Sequence, residues 1–101
     1  MRIGYRLVPL RCYADVELQL DALKRAGCKQ LFTDYGRGAE GEPRPMLARA
    51  LEALHRGDEL VIVHRDHLGP QAGKLAADLA GRGIGLNVLS EAPHLARILA
   101  R

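Results

Sequence analysis

A chain of 101 residues, 48% hydrophobic and 27% charged, makes one globular domain that buries roughly two-thirds of its unfolded surface, and its apolar content excludes a disordered chain. The net charge of +3 permits a polyanionic partner without demanding one. No apolar run approaches a membrane span, and the opening has a strand pattern rather than that of a signal peptide.

Strand character comes first at Arg2 to Val8. Asp15 then stands where it can cap a helix running from Val16 to Ala26, with Gly27 ending it in a left-handed turn. A short strand is expected at Gln30 to Thr33. Pro45 suits the first turn of a second helix, Met46 to His55, stopped by Gly57. The run Leu60-Val61-Ile62-Val63 within Glu59 to Val63 is continuous and β-branched, as in a parallel strand covered on both faces. A third helix is expected at about Ala72 to Ala80, before Gly81-Arg82-Gly83, and a fourth strand at Gly85 to Leu89. Leu95, Ile98 and Leu99 give Ala92 to Arg101 the pattern of a short amphipathic helix. Alternating strands and helices predict a three-layer α/β fold, with a mainly parallel sheet of four to five strands and helices on both faces.

Ligands of open α/β sheets gather beyond the C-terminal ends of the strands. That points to three loops, Pro9 to Ala14, Asp34 to Glu42 and Arg65 to Gly69. The first holds Cys12 and Tyr13, with Arg6 and Arg11 near enough to lower a thiol pKa. Arg44, at a helix start, is the strongest anion-binding candidate. Gly36-Arg37-Gly38 is a flexible turn with one charge. His64-Arg65-Asp66-His67 holds metal-ligand residue types, yet no third or fourth ligand converges on it, so no metal and no cofactor are expected. Cys12 and Cys28 follow no metal spacing and suit a reduced, cytoplasmic compartment. Ser90 and Thr33 are the chain's only Ser and Thr, which leaves few hydroxyl nucleophiles.

The opening Gly4-Tyr5-Arg6-Leu7-Val8-Pro9, followed by Gln19-Leu20-Asp21-Ala22-Leu23, resembles the start of the catalytic domain of serine recombinases of the resolvase/invertase family. The likeness continues in the same order through Ala26-Gly27-Cys28, Phe32-Thr33-Asp34, Gly38-Ala39, Arg44-Pro45-Met46-Leu47, Gly57-Asp58-Glu59-Leu60-Val61, Asp66-His67-Leu68-Gly69 and Gly81-Arg82-Gly83-Ile84. It implies a single resolvase-like domain over residues 1–101, with no helix-turn-helix reader inside that span, acting on DNA by phosphoryl transfer. In the family a Ser hydroxyl attacks the scissile phosphate while several Arg side chains compensate its charge. Here the Ser position holds Pro9, and the Arg positions hold Leu7, His67 and Pro70. Arg44, Gln19 and Asp66 match the family's site, as do Tyr5, Asp34 and Gly38. Arg6 and Arg11 add charge nearby. The loop between Val8 and Gln19 is one residue longer than the family pattern.

The resemblance therefore implies a recombinase domain that has lost DNA strand cleavage and persists as an oligomerisation or regulatory module or a mobile-element remnant. Its implied partners are weakly and non-specifically bound DNA, and either a second copy of itself or a recombinase-like chain. Two other readings stand beside it. One is an active recombinase whose nucleophile has moved to Cys12 or Tyr13. The other is a small-anion or nucleotide-binding domain with its pocket at Asp34, Arg44 and Asp66.

Overall fold

The computed structural model describes residues 1–8, 16–36 and 42–91. The expected terminal helix at 92–101, the cap at Asp15 and the site positions Pro9, Arg11, Cys12, Tyr13 and Gly38 lie outside them. The elements are β1 (Arg2–Val8), α1 (Val16–Arg25), β2 (Gln30–Tyr35), α2 (Pro45–Ala53), β3 (Glu59–Ile62), a 3-10 segment (Arg65–Gln71), α3 (Ala72–Gly81), β4 (Gly85–Val88) and a short 3-10 turn (Leu89–Glu91).

The sheet has four parallel strands in the order β2-β1-β3-β4. Alternation along β1 sorts its side chains between two faces. Ile3 and Tyr5 join Leu60 and Ile62 under α2 and α3, where Leu47, Ala50, Leu54, Leu68, Leu79, Ile84 and Val88 complete the larger core. Leu23 of α1 covers Val61 and Val63 on the opposite face, with Ala22, Cys28 and Leu31 around it. Helices thus cover both faces, the three-layer arrangement that the strand–helix alternation predicts.

Gly4 leaves room for the side chains of Leu31 and Cys28 beneath α1. A Cβ there would stand 2.5 Å from Leu31 Cδ2 and 3.1 Å from Cys28 Sγ. Gly4→Ala is therefore expected to destabilise the domain by about 1–3 kcal/mol through overpacking. Urea unfolding checks this; an unchanged midpoint would mean that the α1 face repacks freely.

Several boundaries differ from the sequence expectation, each for a physical reason. β2 runs two residues past Thr33, because Asp34 and Tyr35 pair with Leu7 and Val8 of β1. Asp34 is therefore strand, not loop. α2 stops at Ala53, short of His55, because Leu54 turns to an extended backbone (φ −80°, ψ 136°) and drops into the core. Asp58 then accepts the His55 N–H at 2.9 Å, and Gly57 takes φ +91° to enter β3. Arg65 to Gly69, expected as loop, wind instead into the 3-10 segment Arg65–Gln71, with a kink at Gly69 (φ 78°, ψ −166°). Among the described residues no helix is long and apolar enough to cross a membrane.

Candidate active site

The C-terminal ends of β1, β2 and β3, the start of α2 and the 3-10 segment meet at one end of the sheet. Asp34 is the hub. Its carboxylate is buried and accepts the Tyr5 hydroxyl at 2.9 Å, the Met46 N–H at 3.0 Å and the Leu47 N–H at 3.0 Å. The last two are orphan donors of the first turn of α2, so a carboxylate from another strand does the work of a helix cap. Burial, then the neighbouring carboxylate, hold the Tyr5 phenol well above its ordinary pKa. Tyr5 and Asp34, each named from the sequence as a site position, meet here as a brace for α2. The amides expected to favour a bound anion at this helix start are already satisfied.

Arg44 stands just before α2, with its backbone outside the helix (φ −134°, ψ 69°). Its guanidinium donates through Nη1 to the His67 carbonyl and lies against Gly69, where a Cβ would sit 2.6 Å from Nη2. Only a glycine in the left-handed region leaves room for that approach. Arg44 therefore ties α2 to the 3-10 segment. It also lines a groove of about 440 Å³ with Leu47, Leu51, Leu68, Lys74 and Leu75. Neither Asp34 nor Asp66 lines that groove, so the pocket imagined at Asp34, Arg44 and Asp66 is not assembled there.

His67 is 8% exposed, and its ring meets that of His64 edge-on at 5.6 Å. Burial first, then the nearby His64 and Arg44, push its pKa down to about 4 against the pull of Asp66. It is a neutral imidazole at pH 7. Leu7 is buried, and Asp66 and Pro70 are exposed. Arg6 Nε donates to Thr33 Oγ1 at 2.9 Å. That link, and the bed Gly69 makes for Arg44, were not singled out from sequence. Arg6 and Thr33 are partners in the β1–β2 register, which local sequence pattern does not reveal.

Three buried side-chain atoms have no hydrogen-bond partner among the described residues: Gln19 Oε1, Arg44 Nη2 and His67 Nδ1. Each belongs to a residue named from the sequence as a site position. Buried polar atoms without partners cost roughly 1–3 kcal/mol each, and such exceptions call for an explanation where they occur. Burial raises the Cys28 pKa, so that thiol is no ready nucleophile. Among the described residues no group of His, Cys, Asp and Glu could hold a metal ion.

Comparison with known proteins bears on the family and the fold. The family model described as the resolvase N-terminal domain matches residues 5–98. The transposon Tn552 DNA-invertase BinR of Staphylococcus aureus is 35% identical over 94 residues, covering 90% of this chain and 48% of that protein. The serine recombinase gin of Escherichia phage Mu is 38% identical over 94 residues, again covering 90% of this chain and 48% of that protein. The chain thus spans about half the length of these relatives. The C-terminal catalytic domain of ISC1926 TnpA, an IS607-like serine recombinase, has the same fold at a TM-score of 0.72 and 15% identity, covering 98% of this chain and 75% of that one.

Proposed function

The chain belongs to the resolvase N-terminal domain family of serine recombinases, and from that premise we propose that it is a catalytic-type domain without DNA strand-cleavage activity, kept as an oligomerisation or regulatory module. The observation that carries the reading is the loss of charge at the family's arginine positions. Leu7 is buried within the domain, His67 is buried and neutral, and Pro70 is exposed and uncharged. Pro9 stands at the nucleophile position and offers no hydroxyl. Phosphoryl transfer depends on positioning and on preorganised charge around the phosphate. Arg44 alone remains of the matched arginines, and it is held by a backbone carbonyl of its own chain. Gln19, Asp66 and the Tyr5–Asp34 pair keep the frame of the site without its electrostatics.

Incubation with supercoiled plasmid, then denaturation, is expected to give neither a nick nor a protein–DNA adduct. Pro9→Ser is expected to remain inert, since each missing transition-state contact costs on the order of a hundredfold and such groups act as a unit. Pro9→Ser with Leu7→Arg, His67→Arg and Pro70→Arg should reach slow nicking at best. An adduct formed by the unmodified chain and abolished by Cys12→Ala would overturn the proposal and identify a displaced nucleophile. Cleavage by Pro9→Ser alone at a rate close to an intact recombinase would also overturn it, by showing that Arg6, Arg11 and Arg44 already make a working phosphate site.

A further inference from the structure

The outward face of α3 carries charges placed against its own helix dipole. Lys74 stands in the first turn and Asp78 in the last, whereas the dipole favours acids at the N-terminus and bases at the C-terminus. Their i,i+4 order is also the weaker one, with the base N-terminal to the acid. Both residues are exposed, and neither makes an ion pair among the described residues. Nothing within the described domain accounts for this layout.

The same face is made of small residues. Gly73, Ala77 and Gly81 recur every fourth position, so they lie along one side of the helix, and all three are exposed. Ala72 and Leu79 turn the other way, into the larger core. A Cβ at Gly73 or Gly81 would meet nothing within 4 Å. The left-handed turn after the helix is made by Gly83 at φ +74°, so neither glycine serves a turn or a close contact inside the domain. Glycine weakens a helix relative to alanine, and no packing among the described residues offsets that loss.

We infer that a second copy of the chain docks on this face, the two α3 helices lying antiparallel across a two-fold axis. An antiparallel pair centred near Ala76 sets Lys74 of each copy against Asp78 of the other. Each charge then also stands by the end of the neighbouring helix whose dipole favours it. The surface is thus its own complement, which a two-fold contact requires. A wholly acidic or wholly basic partner would oppose one charge of the pair; a second copy opposes neither. Gly73, Ala77 and Gly81 let the helix axes approach to the short end of the usual range, about 8 Å. Lys74, Leu75 and Asp78 also form one wall of the groove beside α2, so the incoming helix covers apolar surface on its flank. The inference gives the oligomerisation reading above a surface and rests on that reading for its role; the charge layout stands without it.

Sedimentation equilibrium over a range of protein concentrations tests the inference. One helix pair is a small interface, so the unmodified chain should be a weak dimer, half-associated at roughly 10–100 µM. Ala77→Arg sets a long side chain on the exposed face and should stay monomeric throughout, with an unchanged urea midpoint when dilute. Lys74→Glu and Asp78→Lys should each weaken self-association at least about tenfold, because both attractive contacts of the dimer become repulsive. An equal mixture of those two variants should associate again, acidic face on basic face. Gly81→Ala should raise the urea midpoint of the dilute protein while weakening the dimer. A monomer at every concentration would overturn the inference. So would a dimer that survives Ala77→Arg, or a mixture of the two charge variants that stays monomeric. Nicking plays no part in this readout. A chain that cleaves DNA would overturn the proposed loss of activity and leave this surface standing, and a chain that never self-associates would do the reverse.

Discussion

Asp34→Asn should lower the free energy of unfolding by about 3 kcal/mol. The carboxylate accepts three hydrogen bonds in a buried site, two of them from the first turn of α2. An amide keeps the shape but supplies only one acceptor oxygen, so an N–H donor is left facing an NH₂ group. A buried donor without a partner costs about 1–3 kcal/mol. Loss of the negative charge at the helix start removes roughly 0.3–1 kcal/mol more. Tyr5→Phe deletes only the phenol's bond and should cost about 1 kcal/mol. Urea unfolding of the three proteins side by side provides the check. Equal losses for Asp34→Asn and Tyr5→Phe would mean that the bonds to α2 contribute nothing, and that Asp34 is not what fixes the helix.

Acid should weaken the domain through His67 before its carboxylates titrate. The folded-state pKa of about 4 lies below the ordinary value near 6.5. The unfolded chain therefore binds a proton in this window that the folded chain refuses, and stability falls as pH falls. The contribution is complete above about pH 6.5 and is lost as pH drops toward 4, amounting to about 2–3 kcal/mol. Asp58, whose pKa is lowered by its bonds to His55 and the Met1 amine, acts in the same direction but below the ordinary carboxylate range. The two windows are thus separable. Unfolding measured between pH 7 and pH 4.5 should show the decline in the unmodified chain and a much flatter profile in His67→Gln. An undiminished decline in His67→Gln would assign the acid sensitivity elsewhere.

The two predictions probe residues whose roles were unequally legible in the sequence. The strands and helices could be read because local pattern marks them. Leu60 to Val63 is a buried run, Gly27 ends α1 in the left-handed region as expected, and Pro45 opens α2. Leu54 misled because it continues the apolar spacing of Leu47 and Leu51, and spacing alone cannot show a backbone leaving the helix to bury that side chain. Tyr5, Gln19, Asp34, Arg44 and His67 could be picked out through the ordered likeness to a family. What they do was less visible. Asp34 serves a helix that begins eleven residues later, so no local motif reveals it. His67, in a polar tetrapeptide, reads as a surface residue; it is buried because the 3-10 segment folds Leu68 into the core beside it. Arg44 looks like an anion ligand until the carbonyl of His67 is seen in front of it.

The place of β1 in the middle of the sheet also governs the order in which the protein can be made. β2 is available soon after α1, but the other flank of β1 stays open until Glu59 to Val61 arrive to pair with Arg2 to Gly4. A growing chain that has emerged only as far as α2 therefore carries an unpaired edge on its most apolar strand, the kind of edge that invites pairing with other chains. Closing it depends on a contact between the first residues and the middle of the sequence, which is slow compared with hairpin formation. For this domain the hazardous interval in biosynthesis ends with the emergence of β3.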